Sequence, residues 1–173
     1  MNNTKFIGYH GTIKDKADKI KRTNFTVNFK HVGWLGTGVY FFDEDYDLAL
    51  DYAKRVHKGR ITKVLRGELD VPPGEVFDCT DDNYKKAFHK YREKLQKDLI
   101  EKHNVNLKVG NSNDFDGKVY NFIYRKKGYT LFRAETYTFS EVDDNYGFPP
   151  SRVPNGIELC LKQPRYIIKK DIV

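Results

Sequence analysis

The chain has 173 residues, 39% of them hydrophobic and 14% aromatic, a length for one compact domain and a composition outside the disordered class. Its 31 Lys and Arg against 24 Asp and Glu leave a formal charge of +7, which favours anionic partners such as a dinucleotide or nucleic acid without choosing between them. Cys79 and Cys160 are the only cysteines and no histidine stands at metal-ligand spacing from either, which argues against a zinc site or a disulfide framework and suits a reducing cytoplasm. No stretch approaches the length of a signal-peptide core or a membrane span.

In chain order, residues 5–10 read as a short strand ending at Gly11, which puts His10 at a strand end. Ile13, Ala17 and Ile20 then recur at i, i+4 and i+7, the buried face of a helix over residues 13–22. Gly33-Trp34-Leu35-Gly36-Thr37-Gly38 is a glycine-rich edge that runs into the strand Val39-Tyr40-Phe41-Phe42. Asp43 or Asp45 can cap the next helix, which extends to about residue 58 with Leu48, Ala49, Tyr52, Ala53 and Val56 inward.

Residues 60–71 have strand character until Pro72-Pro73-Gly74 stops them. Tyr84, Phe88, Tyr91, Leu95 and Leu99 pattern a long helix over residues 81–103, a packed cover with no part in chemistry. Residues 104–118 are polar and read as loop, while 119–124 and 129–139 read as aromatic strands with Arg125-Lys126-Lys127-Gly128 as a hairpin tip. Three prolines make 140–155 a long surface loop of the kind that shapes binding sites. Beyond it Ile157, Leu159 and Leu161 alternate with Glu158 and Cys160, so Glu158 projects away from the packed aliphatic face, and residues 166–168 form a last short strand.

No Walker, Rossmann, HExxH or GxSxG pattern occurs. Three dispersed elements remain: Tyr9-His10-Gly11-Thr12, then Gly36-Thr37-Gly38-Val39-Tyr40-Phe41, then Asn155-Gly156-Ile157-Glu158-Leu159. Taken singly, His10 reads as a half-buried histidine, Tyr40 as a sheet aromatic and Glu158 as an exposed strand carboxylate. Taken together and in this order, they resemble the ADP-ribosyltransferase superfamily, in the branch with a His, Tyr and Glu triad that includes the poly-ADP-ribose polymerases and diphtheria toxin. The resemblance spans nearly the whole chain. It implies one α+β catalytic domain over residues 1–173, with two packed, mostly antiparallel sheets, flanking helices and an NAD cleft.

The resemblance also implies roles. His10 would hydrogen-bond the adenosine ribose, the Gly11 backbone would fix the nicotinamide amide, Tyr40 would stack on the nicotinamide ring and Tyr52 would close its other side. Thr12, Gly38 and Ala49 complete the expected NAD-binding set. Glu158 would hold the nicotinamide-ribose 2′-hydroxyl, stabilise oxocarbenium character and help orient or deprotonate the acceptor. The expected activity is cleavage of NAD to nicotinamide and transfer of a single ADP-ribose to a macromolecular acceptor, nucleic acid (RNA in particular) or protein, with no metal and no membrane.

Gly156 stands where arginine-directed relatives carry an acidic or amide residue, which disfavours arginine as target. Arg152, Asn155, Arg125 and Lys126 are the candidates to touch an acceptor. Small stand-alone members of the family are often toxins, conflict-system effectors or phage proteins, so by analogy an antitoxin or inhibitor is an expected partner. A tRNA 2′-phosphotransferase-like enzyme is disfavoured by Glu158 and by the lack of arginine beside His10 or Tyr40. A non-catalytic module that binds NAD or nucleic acid is the other alternative.

Overall fold

The structure is a computed structural model and describes residues 2–103 and 112–173. Strand β1 (Thr4–Ile13) pairs antiparallel along its whole length with β3 (Thr62–Val71), from Thr4↔Val71 to Ile13↔Thr62. His10 and Gly11 therefore lie inside a strand, where the sequence placed a strand end. Helix α1 (Lys14–Arg22) follows directly, and β2 (Val39–Asp43) leads into α2 (Tyr46–Val56), whose first turn is capped by the Asp45 side chain accepting from the Leu48 N–H at 2.8 Å. Gly11 serves packing and no turn: α2 crosses β1 there, and a Cβ would collide with the Ala49 carbonyl oxygen and the Ala53 methyl.

The other strands are β4 (Val76–Asp78), which the sequence reading missed, β5 (Leu131–Thr136), β6 (Gly156–Leu161) and β7 (Ile167–Ile172). The expected pair of packed sheets is one seven-stranded sheet in the order β4-β5-β6-β2-β1-β3-β7, antiparallel except for β4 against β5. Strand β2 joins its halves unequally. It pairs with β6 from Val39↔Leu161 to Phe42↔Glu158, but with β1 only at Gly8↔Asp43 and Tyr9↔Phe42.

Alternation gives the sheet two apolar faces. On one, Phe41, Leu65, Leu69, Leu159 and Leu161 pack with Ala17 of α1 and with Phe25. On the other, Phe42 and Val64 meet Ala49 of α2, while Phe77, Phe132 and Cys160 pack with Phe88 of α3 (Asp82–His103) and with Val119, Tyr120 and Ile123 of α4 (Ser112–Lys127).

Helix α4 replaces the expected loop and strand: residues 112–118 open it, and 119–124 continue it. Val119, Tyr120 and Ile123 recur at i, i+1 and i+4 and are buried on one side. The aromatic richness that suggested a strand serves helix packing, since Tyr120 meets Phe88, Phe77 and Phe132. Arg125, Lys126 and Lys127 form the last helical turn instead of a hairpin tip, where cations face the helix C-terminal carbonyls. Gly128, at φ 78°, ends the helix with its N–H on the Tyr124 carbonyl at 2.8 Å. Residues 104–111 of the expected loop lie outside the described residues.

The segment 140–155 is not wholly loop. It contains α5 (Glu141–Tyr146), closed at its start by a capping box between Ser140 and Asp143. Arg55 to Asp144 at 3.1 Å and Lys58 to Asn145 at 3.3 Å tie α5 to the end of α2. The tether brings the segment before β6 alongside Tyr52, over whose ring the Arg55 guanidinium lies at 5.5 Å.

Candidate active site

A cavity of about 570 Å³ opens where β1 and β2 part, a size suited to a small-molecule or cofactor site. Its wall includes His10, Gly11, Gly38, Tyr40, Tyr52 and Glu158. Residues from four separate segments, named from the sequence, thus meet in one place.

The geometry of the split follows from the ladder. Lys14 N–H bonds Ile61 O and Glu44 N–H bonds Ile7 O, so even-numbered residues of β1 point their peptide groups at β3 and odd-numbered ones at β2. After Tyr9↔Phe42 the next rung would be Gly11↔Tyr40, and the described pairing stops before it. The N–H and C=O of Gly11 are left facing the cleft, a donor and an acceptor on one peptide edge. A carboxamide needs that combination.

The carbonyl of Tyr40, freed by the same missing rung, accepts a hydrogen bond from His10 Nδ1 at 2.8 Å. A carbonyl oxygen can only accept, so Nδ1 carries the proton and Nε2 of the neutral ring is an acceptor. Burial lowers the His10 pKa below 6.5, against the raising effect of the Tyr40 bond and with small help from Lys16 and His57. Phe25 and Phe41 pack edge-on against the imidazole at 5.2 and 6.0 Å. The ring is therefore held neutral and immobile beside the cavity.

Tyr40 offers its ring to the cavity while its hydroxyl is occupied elsewhere. It donates to Gly36 O at 2.7 Å and accepts from Leu35 N–H at 2.9 Å, pinning the loop of residues 33–38. Burial drives its pKa far up, so it is a neutral platform and no acid or base. Tyr52 lies across β2, its ring edge-on to Phe42 at 5.7 Å.

Glu158 sits in register between Phe42 of β2 and Ala134 of β5, in the middle of the sheet and half-buried. The indole Nε1–H of Trp34 donates to its Oε2 at 2.9 Å. Burial raises its pKa above 4.5, while hydrogen bonds from the Trp34 and Thr136 side chains oppose that shift.

The loop that carries Trp34 is braced from behind. Asn121 of α4 accepts from Thr37 N–H at 2.8 Å and donates to Thr37 Oγ1 at 3.2 Å. Lys162, 6% exposed just past β6, donates to Leu35 O at 2.8 Å and lies 4.8 Å from the Phe132 ring centre. Desolvation lowers the Lys162 pKa.

Other expected site residues fall elsewhere. Thr12 and Ala49 are buried, at 4% and 0% exposure, and do not line the cavity; Ala49 fills the space that Gly11 leaves under α2. Asn155 is committed to structure, its side-chain amide bonding Thr138 N–H and O at 2.8 Å each. Arg152 is exposed on the segment before β6, whereas Arg125 and Lys126 stand at the end of α4; none of the three lines the cavity.

Sequence reasoning missed Trp34, Asn121 and Lys162. The available signal was one: the chain's single tryptophan lies between the glycines of the 33–38 segment. It also missed Phe25 and the polar lining residues Lys16, Lys19, Asn24, Asn28 and His31, two of them cations.

Cys79 and Cys160 are buried free thiols. Among the described residues no group of three His, Cys, Asp or Glu could hold a metal ion, and no helix is long and apolar enough to cross a membrane. No family model, no curated protein and no solved structure matches the chain.

Proposed function

We propose that the chain is an NAD-dependent mono-ADP-ribosyltransferase and that its sheet is the ADP-ribosyltransferase-like fold. The observation that carries this is the convergence of His10, Gly11, Tyr40 and Glu158 on one cavity where the pairing of β1 with β2 stops. The fit to NAD is chemical. The open Gly11 peptide edge suits the nicotinamide carboxamide, the Tyr40 and Tyr52 rings suit the pyridinium face, and His10 Nε2 suits a ribose hydroxyl. Lys16 and Lys19 at the rim suit the pyrophosphate.

In the reaction the bond between the ribose anomeric carbon and the pyridinium nitrogen breaks, and its electron pair leaves with nicotinamide. Glu158 holds the 2′-hydroxyl and stabilises the positive charge that develops on the sugar. An acceptor heteroatom then bonds to the anomeric carbon and loses its proton. The acceptor is a macromolecule, nucleic acid with RNA first or else protein, met by the 140–155 segment. A cytoplasmic toxin or conflict-system effector with an inhibitor partner is the biological setting we favour.

A tRNA 2′-phosphotransferase-like site would bring arginines into the cleft, and the described lining holds lysines but no arginine. The test is nicotinamide release and transfer of labelled ADP-ribose into protein, RNA and DNA fractions of a lysate, for wild type and Glu158→Ala. Label in one fraction that Glu158→Ala abolishes supports the transferase and names the acceptor class. NAD binding without nicotinamide release by wild type would leave a binding module.

A further inference from the structure

Glu158 is a flexible side chain set among neutral groups. The titratable groups facing it are Tyr40 from β2, Tyr52 from α2 and Cys160 from β6; burial raises the pKa of each, so all stay uncharged through neutral pH. Among the described residues no ion pair reaches Glu158, and Arg55, over the Tyr52 ring, is paired with Asp144. Orientation of the carboxylate therefore cannot come from an ion pair. It falls to hydrogen bonds, and the one whose donor is fixed from outside the sheet is Trp34 Nε1–H to Glu158 Oε2 at 2.9 Å.

Trp34 itself has little freedom. Its indole packs edge-on to Tyr120 of α4 at 6.5 Å, and the adjoining backbone is held by Tyr40, Asn121 and Lys162 through Leu35, Gly36 and Thr37. A buried lysine, an asparagine and a tyrosine hydroxyl thus converge on the loop that presents Trp34 to the cavity.

Resting on the transferase reading above, we propose that Trp34 is the positioning residue of the reaction: its indole N–H fixes the Glu158 carboxylate in the orientation that meets the nicotinamide ribose. A hydrogen bond to a charged group is worth more than a neutral one, and this one also favours the ionised form that the chemistry needs. The residue acts through Glu158, so its loss should leave NAD affinity almost untouched.

The experiment compares wild type with Trp34→Phe, which keeps a ring and loses the donor, in steady-state nicotinamide release across the acidic to neutral range. The expected result is a kcat about 10- to 100-fold lower, a KM for NAD within about threefold of wild type, and an acidic limb of kcat moved to higher pH. Replacing Trp34 by 3-benzothienylalanine, isosteric with sulfur in place of the N–H, gives the same result if the smaller ring destabilises the fold. An unchanged kcat and acidic limb in either variant that folds, or a loss confined to KM, overturns the positioning role while the transferase stands. A wild type that releases no nicotinamide overturns both.

Discussion

Replacing Glu158 by Gln should stabilise the folded protein at neutral pH, and by an amount that depends on pH. The amide keeps the volume and keeps an oxygen for the Trp34 N–H; what it removes is a charge held half-buried between Phe42 and Ala134. Because burial raises the folded-state pKa above 4.5, the native chain keeps a proton that the unfolded chain has released. Stability of the wild type therefore falls as pH rises from about 4.5 through the folded pKa and is level beyond it. The Gln variant lacks this slope. His10, whose pKa burial lowers from 6.5, titrates in both proteins and cancels in the comparison. Removal of a partly buried charge of this kind is worth about 0.5–2 kcal/mol, and partial exposure of the carboxylate places it toward the lower end. For a chain of this size that is about 2–6 °C in Tm. Thermal unfolding of both proteins from pH 4 to pH 8 reads the difference directly, near zero at the acidic end and growing through the window. A difference that does not change with pH, or a Gln variant less stable at pH 8, would refute the reasoning. It would mean that Trp34 and Thr136 serve the carboxylate better than water does.

Two further predictions concern the frame of the cavity. Gly11→Ala puts a methyl into the Ala49 carbonyl and the Ala53 side chain, so α2 must move off β1; the overpacking should cost about 1–3 kcal/mol, seen as a lower urea midpoint, and an unchanged midpoint would show that the helix has room to give. Asn121→Ala removes the acceptor of the Thr37 N–H and a contact of the Lys162 ammonium. It should cost about 1–3 kcal/mol and speed hydrogen exchange at residues 35–37 above that of β6, whereas uniform exchange would mean that the loop is held by its own turn.

What the sequence made legible was local periodicity and, through the family resemblance, the residues that meet in the cleft. Residues 82–103 and 46–56 are helical because their apolar residues repeat at helical spacing and Asp45 caps the second. Glu158 faces the cavity because β6 alternates. Residues 119–124 misled because Val, Tyr, Phe and Ile suit either a strand or a buried helix face, and only the partner surface of Phe77, Phe88 and Phe132 decides between them. His10 and Gly11 were placed at a strand end because glycine usually marks one; the reason for Gly11 lies in α2, some forty residues further on, and no local window holds it. The same holds for Trp34, Asn121 and Lys162, whose bonds span 124, 84 and 127 residues.

Breaking the ladder after two rungs would ordinarily strand polar groups inside a sheet, and unpaired buried groups are costly. Here the two strands are treated differently. On β2 the Tyr40 carbonyl is satisfied within the protein by His10 Nδ1. On β1 the Gly11 N–H and C=O are left toward the cavity, open to water or to a ligand. One imidazole thus takes up the carbonyl on one side of a broken rung and leaves the groups on the other side facing the cavity. It follows that His10 holds the β2 side of the cleft as well as lining it, and a substitution there would disturb the strand that carries Tyr40. The gap in the sheet and the open Gly11 edge are the same structural feature, and Glu158 reaches it because β6 pairs with β2 just where β2 leaves β1, at Phe42.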